Sequence, residues 1–548
     1  MKIILYFLCF SFFLVCLPAR AENDLKKIGY DVKIFNVDRY EMPAPNLPDI
    51  SKYTPETIKN LIPKLESGDV KIESMSSVLG TSKFMEGSES VTYRKKQKEE
   101  PQVIVLYGGT HTPQTLSQTP ALKRFIKCHE ENTQEICTLI RPLYIGRNAS
   151  FVIRENTLLR LGTLGGAFIA GAGRLFLFES VIEGWNEKEE KPDTYVDDKS
   201  FRPFLTFWNG SEVYIAKSTL RHLGYMSPKA YGLTFSNDKF ISKHPARNQW
   251  IIESNFEGLM YGFYTFEASN IVLLRNKYSG NIYYGIDPHD RSKNLIIGYN
   301  DVSDTIKRHG IILSREVDNS WVFNNKSYRN GGSGIMIDRS SRGNVLAYNE
   351  SFENQREGIY IAESHGTLLY QNNLHHNRKN GLRIRNSTDI VSYEDTLSHN
   401  GDHGVNGYSI SLKHLKRDFK RDPFQQKNAF TVIGSQIKQN GKSVIKAQRF
   451  DHLSLHRLEY ELAPSNSWKE LSGDLGFFTD AVNSSLSNPG QAIEFTNFNF
   501  IPDSGKKTPY FKTLCEILTC RGKHIRLQPP QTPLLLETPP NEHVKSSE

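Results

Sequence analysis

The sequence predicts an all-β chain that folds as a right-handed parallel β-helix, with an N-terminal cap and a C-terminal β-rich accessory segment. A glycine followed by an apolar residue recurs every 23 to 30 residues, and asparagines precede many of these glycines by nine or ten positions. Short alternating runs such as "GIMID" and "GIYIA" lie between polar turns, which is typical of a solenoid. The glycines are Gly232, Gly262, Gly285, Gly310, Gly334, Gly358, Gly381 and Gly404, and the asparagines are Asn276, Asn300, Asn324, Asn325, Asn349 and Asn372.

Other repeat architectures fit this pattern less well. A helical repeat needs longer periodic segments rich in Ala, Leu and Glu, and a leucine-rich repeat needs a fixed Leu/Asn frame. In a parallel β-helix the strand connections are right-handed, and inward asparagines can stack into ladders at the corners. We therefore expect Asn325 to have a structural role, and we expect the repeat glycines to serve backbone positions with positive φ.

Composition divides the chain into five segments. The polar stretch before residue 100 contains one helix-like run, "TPETIKNLIPKLESG", and is expected to cap an open end of the solenoid. The repeat fades into the basic run "KHLKRDFKRDPFQQKN", after which further β-rich sequence follows. The predicted segments are a signal peptide (1–21), an N-terminal capping segment (22–100), the β-helix (101–412), a C-terminal β-rich accessory segment (413–524) and a Pro-rich disordered tail (525–548).

The first 21 residues, "MKIILYFLCFSFFLVCLPARA", have the features of a cleaved secretory signal peptide. A basic residue precedes an apolar core that ends in Ala19-Arg20-Ala21. The apolar run is shorter than the roughly 20 residues of a membrane-spanning helix, so we expect export without stable membrane insertion. Four cysteines then remain, and the local pairs Cys128/Cys137 and Cys515/Cys520 favour disulfides over a metal site.

The charge balance is modestly basic, with 68 Lys and Arg against 60 Asp and Glu. Such a balance in an exported protein suits an anionic polysaccharide, a lipid headgroup or nucleic acid. Charge alone does not choose among these partners.

Aligning the repeats on their glycines assigns side chains to faces. The first and third residues after each glycine are almost all aliphatic and form the inward column, in which Pro288 is the exception. Because strand side chains alternate, Asp287 and His289 must then point outward. Arg315 follows on the next rung and starts within roughly 6 Å of His289, given rung and residue spacings of about 4.8 and 3.3 Å.

A basic, tyrosine-bearing strip surrounds this "DPHD" motif. It includes Tyr284, Arg308 and Arg339 among other arginines. Arginine binds carboxylates in a bidentate manner, so the strip favours a groove for an elongated acidic polymer. The alternative is an ordinary solvated charge cluster on the outside of a solenoid.

The motifs "YYGIDPHDRSKNLIIGYN", "DTIKRHGIILSREVDNSWVFNN", "GSGIMIDRSS", "FRPFLTFWNG" and "TLRHLGYMSPKAYGLTFS" resemble those of the periplasmic mannuronan C5-epimerases of alginate-producing bacteria. The resemblance implies a periplasmic β-helix enzyme that converts mannuronate to guluronate residues within polymannuronate without a nicotinamide cofactor, and we predict no cofactor and no metal site. It also implies that His289 is the proton acceptor and that Arg315 neutralises the substrate carboxylate. Partners would be the anionic polysaccharide and proteins of the periplasmic alginate-secretion complex, not nucleic acid.

The reaction requires removal of the C5 proton, which is weakly acidic while the neighbouring carboxylate is charged. Arg315 would stabilise the enediolate-like anion, and neutral His289 would accept the proton. Asp287 or Asp290 would orient the imidazole, and Tyr284, another groove residue or water would return a proton from the opposite face. Two alternatives stay open at this point, an alginate lyase that expels the glycosidic oxygen and a non-catalytic polyuronate-binding solenoid.

Overall fold

The computed structural model of the chain describes residues 29–39, 44–80, 88–208, 210–237, 247–464, 469–498 and 519–520. The predicted signal peptide and Pro-rich tail lie outside the described residues. So does Cys515, and the predicted pairing of Cys515 with Cys520 stays a prediction.

Strands stack in parallel along three faces, and each turn of the chain adds one strand to each face. The predicted parallel β-helix is thereby confirmed. The first face, which carries the "DPHD" motif, contains Ile169–Gly171, Leu205–Trp208, Gly232–Ser236, Tyr261–Phe266, Tyr284–His289, Ile311–Ser314, Ile335–Asp338, Ile359–Ala362, Leu382–Arg385, His403–Tyr408, Ser443–Gln448 and Lys469–Gly473.

The second face shares the long strands Gln102–His111 and Leu143–Ile153 with the first. It continues through Arg174–Phe178, Glu212–Ala216, Gln249–Ile252, Ile271–Leu274, Ile296–Gly298, Trp321–Phe323, Val345–Ala347, His365–Tyr370, Thr388–Tyr393, Ala429–Ile433 and His452–His456. The third face contains Ile126–Glu131, Gln134–Leu139, Thr157–Gly162, Val181–Asn186, Thr219–Arg221, Asn255–Glu257, Lys277–Ser279, Asp301–Ser303, Lys326–Tyr328, Glu350–Phe352, Asn373–His375, Thr396–Ser398, Gln436–Lys438 and Glu459–Glu461.

Short helices and a few additional strands flank the stack. The helices are Pro55–Leu61, Met75–Leu79, Ser88–Gln97, Pro113–Gln118 and Thr479–Leu486, with 3-10 turns at Pro120–Leu122 and Asp474–Phe478. The additional strands are Tyr30–Arg39, Val70–Ser74, Lys191–Pro192, Gln491–Asn497 and Thr519–Cys520. None of the helices in the described ranges combines the length and apolar character needed to cross a membrane.

The register predicted from the glycines is confirmed on the first face. Ile286, Ile311 and Ile335 are neighbours on successive rungs, and all three are fully buried in the core. The outward column pairs His289 with Ser314 and Ser314 with Asp338. Hydrophobic burial of the inward column therefore determines which side chains meet on the outside.

The repeat glycines are required for a reason other than the positive φ that the sequence predicted. Of the eight, only Gly232 has positive φ. A Cβ at Gly334 would lie 1.9 Å from Ser351 Oγ and 2.7 Å from Asn354 Nδ2, and a Cβ at Gly358 would lie 2.8 Å from Asn377 Nδ2. The glycines are therefore required by the close approach of corner side chains from the next rung.

Those corner side chains form hydrogen-bonded ladders. Asn325 Nδ2 donates to Ile297 O at 2.9 Å and to Asn349 Oδ1 at 3.0 Å, while its Oδ1 accepts from the backbone and side-chain amides of Asn300. A second ladder, absent from the sequence prediction, runs through Asn330, Asn354, Asn377, Asn400 and Asn440.

The N-terminal segment does more than cap one end. Val70–Ser74 pairs with Gln102–His111 at the beginning of the stack, as a cap would. Tyr53 instead packs along the second face, where its ring lies 5.0 Å from that of Trp250. The strand Tyr30–Arg39 lies at the far end, antiparallel to Gln491–Asn497. This pairing covers the edge that the final strand would otherwise leave open.

The β-rich C-terminal segment is present, but its strands continue the β-helix. Ala429–Ile433 and His452–His456 pair in parallel on the second face, and Ser443–Gln448 pairs with His403–Tyr408 on the first. The stack therefore does not end at residue 412. The repeat fades in the sequence because a long insertion, residues 409–428, interrupts its spacing.

One of the two predicted disulfides is confirmed. Cys128 and Cys137 are bonded across the hairpin formed by Ile126–Glu131 and Gln134–Leu139. Glu135 lies close to both sulfur atoms, but those sulfurs are joined to each other.

Replacing Asn325 by Ala should destabilise the stack, because it leaves the Asn300 amide donors and Ile297 O without their buried partner. We expect a loss of about 3 kcal/mol or more in the free energy of unfolding, at 1–3 kcal/mol per unsatisfied group. Urea denaturation monitored by circular dichroism measures it. The exposed Gln355→Ala is the control, and equal midpoints for the two variants would contradict the ladder's role.

Candidate active site

Outward side chains of the first face, together with part of the insertion, line a cleft of about 520 Å³. The lining is rich in arginine and includes aromatic and acidic side chains. Its members are Tyr284, His289, Arg308, His309, Ile312, Ser314, Met336, Asp338, Arg339, Arg356, Tyr360, Glu363, Arg383, Arg385, Leu415, Lys416 and Arg417. Such a surface can bind several carboxylates at once.

The strand Tyr284–His289 places the "DPHD" motif at the edge of this cleft. Pro288 is buried and lies beside Thr265 of the preceding rung. The His289 backbone N–H donates to Thr265 Oγ1 at 3.3 Å. Pro288 restricts the backbone immediately before His289, and this hydrogen bond holds the backbone from which the imidazole projects.

His289 and Asp290 form a close pair. Asp290 adopts a left-handed backbone conformation, with φ of 40°, and its Oδ2 lies 2.6 Å from His289 Nδ1. Burial lowers the pKa of His289, but the Asp290 hydrogen bond and the charges of Asp287, Asp290 and Asp338 outweigh burial and raise the pKa above its ordinary value.

The protonation state of Asp290 determines the histidine tautomer. Burial raises the pKa of Asp290, but the hydrogen bond to His289 and the charges of His289, Arg315 and Arg421 bring it down to about 2. An ionised carboxylate only accepts hydrogen bonds, so His289 Nδ1 must be the donor. In the neutral imidazole, Nε2 is then the basic nitrogen.

Asp287 lies on the same face as His289. Its outward position had predicted a solvent-exposed side chain, but the structure buries it. It is 1% exposed, and its Oδ1 has no hydrogen-bond partner among the described residues. Burial raises its pKa to about 7, an effect that His289 opposes. The negative charge of Asp287 in turn raises the pKa of Tyr261 and Tyr264, on which burial acts most strongly. Asp287 is therefore a desolvated carboxyl group beside the imidazole.

Arg315 lies next to Ser314, the register partner of His289, and forms ion pairs with two carboxylates. Its Nη2 donates to Asp422 Oδ2 at 2.9 Å, and its Nη1 lies 3.7 Å from Asp290 Oδ1. Its Nε is buried without a hydrogen-bond partner in the described part of the chain. Arg315 and His289 thus contact the same carboxylate, Asp290.

The remaining predicted residues, Tyr284, Arg308 and Arg339, all line the cleft. The Tyr284 ring stacks on the His309 ring at 6.0 Å. Burial and the charge of Asp287 raise the pKa of Tyr284 well above its ordinary value, so its hydroxyl keeps its proton. Arg339 lies 3.6 Å from Asp338 and 3.9 Å from Asp422.

Sequence reasoning missed several cleft residues. Ile312, Met336 and Tyr360 occupy the second position after their glycines, the column that had drawn attention only at Asp287. The same register could have found them. Leu415, Lys416 and Arg417 carry no such signal, because they lie outside the repeat.

Tyr283 and Lys307, the sequence neighbours of Tyr284 and Arg308, are not part of the cleft lining. The Tyr283 hydroxyl and Lys307 Nζ both donate to Asp198, at 2.9 and 2.7 Å. These bonds tie the loop before residue 200 to the rung that carries Tyr284.

The chain is similar to several known proteins. A family profile described as "Periplasmic copper-binding protein (NosD)" matches residues 208–408. The chain is 35% identical over 471 residues to the mannuronan C5-epimerase of Pseudomonas putida, covering 85% of this chain and 90% of that protein. It is 37% identical over 455 residues to the mannuronan C5-epimerase AlgG of Azotobacter vinelandii, covering 82% of this chain and 85% of that protein.

A solved structure agrees. The crystal structure of the periplasmic alginate epimerase AlgG is 36% identical and superposes with a TM-score of 0.73, covering 77% of this chain and all of that chain.

Asp290→Asn should lower the pKa of His289, because it removes the charge that opposes the effect of burial. Histidine C–H signals followed by NMR across the pH range measure this shift. Asp304→Asn, which removes a carboxylate bonded to Arg329 away from the imidazole, is the control. A His289 pKa that stays the same in Asp290→Asn would show that Asp290 does not set its basicity.

Proposed function

This chain belongs to the family of mannuronan C5-epimerases, and from that premise we propose how its cleft inverts C5 of mannuronate residues. The family makes the chain an isomerase of alginate biosynthesis, as predicted, and its periplasmic location is likewise as predicted. The substrate is polymannuronate, and the product contains α-L-guluronate residues. The observation that carries the mechanism is the His289–Asp290 pair at the edge of an arginine-rich cleft.

His289 is the proton acceptor. The C5–H bond breaks, its electron pair remains on the sugar as an enediolate-like anion, and the proton passes to Nε2. Asp290 accepts the Nδ1 hydrogen bond and stabilises the imidazolium that forms, without taking the proton itself. The upward shift of the His289 pKa matches this role, since it increases the affinity of the imidazole for the proton.

Arg315 neutralises the substrate carboxylate. Charge on that carboxylate grows as the proton leaves, and a fixed guanidinium nearby lowers the energy of the anion. Its position one residue beyond Ser314 supports this assignment, as does the contact to Asp290 that it shares with His289. Arg308 and Arg339 bind the carboxylates of neighbouring sugar residues along the cleft.

Tyr284 returns a proton to the opposite face of C5. Its raised pKa keeps the hydroxyl protonated until an anion forms beside it. Water is the competing donor. Asp287, desolvated next to His289, has a supporting role in setting the electrostatics of the base.

Two further expectations rest on the family resemblance alone. Proteins of the periplasmic alginate-secretion complex are the proposed macromolecular partners, and nucleic acid is not a proposed ligand. The cofactor-free reaction follows from the acid–base chemistry above, in which proton transfer requires no electron carrier.

His289→Ala should abolish epimerisation, and Arg315→Ala should reduce kcat by about 10²-fold or more, the usual range for groups that stabilise transition-state charge. Proton NMR of polymannuronate incubated in D₂O reports both guluronate formation and deuterium at C5. The exposed His399→Ala is the control. Full activity of His289→Ala would refute the mechanism, and unsaturated uronate as the main product would identify a lyase.

Tyr284→Phe should lower kcat without weakening polymer binding, because it removes only the hydroxyl. Tyr283→Phe is the matched control, since its hydroxyl bonds to Asp198 and lies outside the cleft lining. Unchanged kcat in Tyr284→Phe would assign the returning proton to water.

A further inference from the structure

The insertion at residues 409–428, called the strap below, contains the basic run that the repeat could not explain. Consecutive members of the second asparagine ladder are normally 23 or 24 residues apart, but Asn400 and Asn440 are separated by 40. The extra residues leave the stack after His403–Tyr408 and return at Ala429–Ile433. Three of them, Leu415, Lys416 and Arg417, line the cleft.

Three residues of the strap form ion pairs that attach it to the first face. Arg421 lies 3.3 Å from Asp290, the partner of His289. Arg417 lies 2.6 Å from Glu363, which also binds Arg385 of the cleft lining. The third attachment is Asp422, which reaches Arg315 at 2.9 Å and Arg339 at 3.9 Å.

Asp422 differs from the other attachments because it presents the same chemical group as the substrate. Its side chain is only 7% exposed, and its carboxylate contacts the guanidinium groups of Arg315 and of Arg339, the second of which lines the cleft. Asp422 accepts the hydrogen bond of Arg315 Nη2, and a uronate carboxylate that takes this donor must displace Asp422 from it. Because a bidentate pair uses two adjacent guanidinium nitrogens, a uronate carboxylate bound to Nη1 and Nη2 of Arg315 would exclude Asp422.

We propose that Asp422 is an internal substitute for the substrate carboxylate, which keeps Arg315 and Arg339 paired in the free enzyme and is displaced when polymannuronate binds. The inference rests on the proposed role of Arg315. Pairing with Asp422 stabilises the part-buried guanidinium of Arg315 when the cleft is empty. Displacement then removes one of the three attachments of the strap, while Lys416 and Arg417 remain at the cleft to contact the polymer.

This exchange reduces the apparent affinity for polymer, because the site is open to a uronate only in the fraction of molecules whose Asp422 has left Arg315. Asp422→Asn removes the competing charge at nearly constant volume. It should lower KM for polymannuronate by about threefold or more, with kcat not reduced. Asp418→Asn is the matched control, since Asp418 lies exposed on the same strap and its carboxylate accepts from strap backbone amides.

The opposite kinetic result would overturn the proposal. If Asp422 merely positions Arg315, Asp422→Asn lowers kcat and leaves KM unchanged. Melting temperatures of both variants establish that each is folded.

A second measurement needs no change at Asp422. Mannuronate oligomers bound to His289→Ala protein should increase backbone hydrogen exchange in residues 413–427, because the strap loses its Arg315 attachment. Decreased exchange there would also overturn the proposal.

The two proposals fail in different ways. Activity retained by His289→Ala refutes the mechanism of the preceding subsection. An inactive His289→Ala protein, whose affinity for mannuronate oligomers is unaffected by adding Asp422→Asn, refutes only the displacement of Asp422.

Discussion

The lateral alignment of successive rungs is the constraint on which the rest of this molecule depends. Two kinds of contact maintain it, the buried aliphatic column that includes Ile286 and Ile311, and the hydrogen-bonded asparagine ladders at the corners. A slip of one residue would exchange inward and outward side chains along a whole strand. The cleft exists because these contacts bring residues about 24 positions apart into one outward column, as with His289, Ser314 and Asp338.

The candidate active site on this stack consists of charged side chains that contact one another. Asp290 contacts His289, Arg315 and Arg421. One carboxylate therefore affects the basicity of the imidazole, the orientation of the Arg315 guanidinium and the attachment of the strap. Because opposite charges are paired within a partly buried region, removing any member leaves its partner poorly solvated. Effects of substitutions here should consequently be coupled and not additive.

Much of this could be predicted from the sequence because the repeat converts chain position into spatial position. The glycine spacing was sufficient to place His289 beside the rung of Arg315, and the family resemblance supplied the chemistry. Features without a period could not be predicted. Asp422 meets Arg315 across 107 residues of sequence, and nothing local indicates that contact. Asp287 is buried beside tyrosines such as Tyr264 from the preceding rung. The alternation of strand side chains predicts which way Asp287 points but not whether neighbouring side chains cover it.

The pairing of the first described strand with the last rung has a consequence for how the protein acquires its structure. Tyr30 lies opposite Asn497, so two segments from nearly opposite ends of the chain must meet. A polypeptide delivered across a membrane N-terminus first presents Tyr30–Arg39 long before Gln491–Asn497 arrives. That strand remains unpaired while the rungs assemble. Contacts between residues far apart in the sequence form slowly. Completion of the β-helix is therefore a late event, and until then its final edge is open to association with other chains.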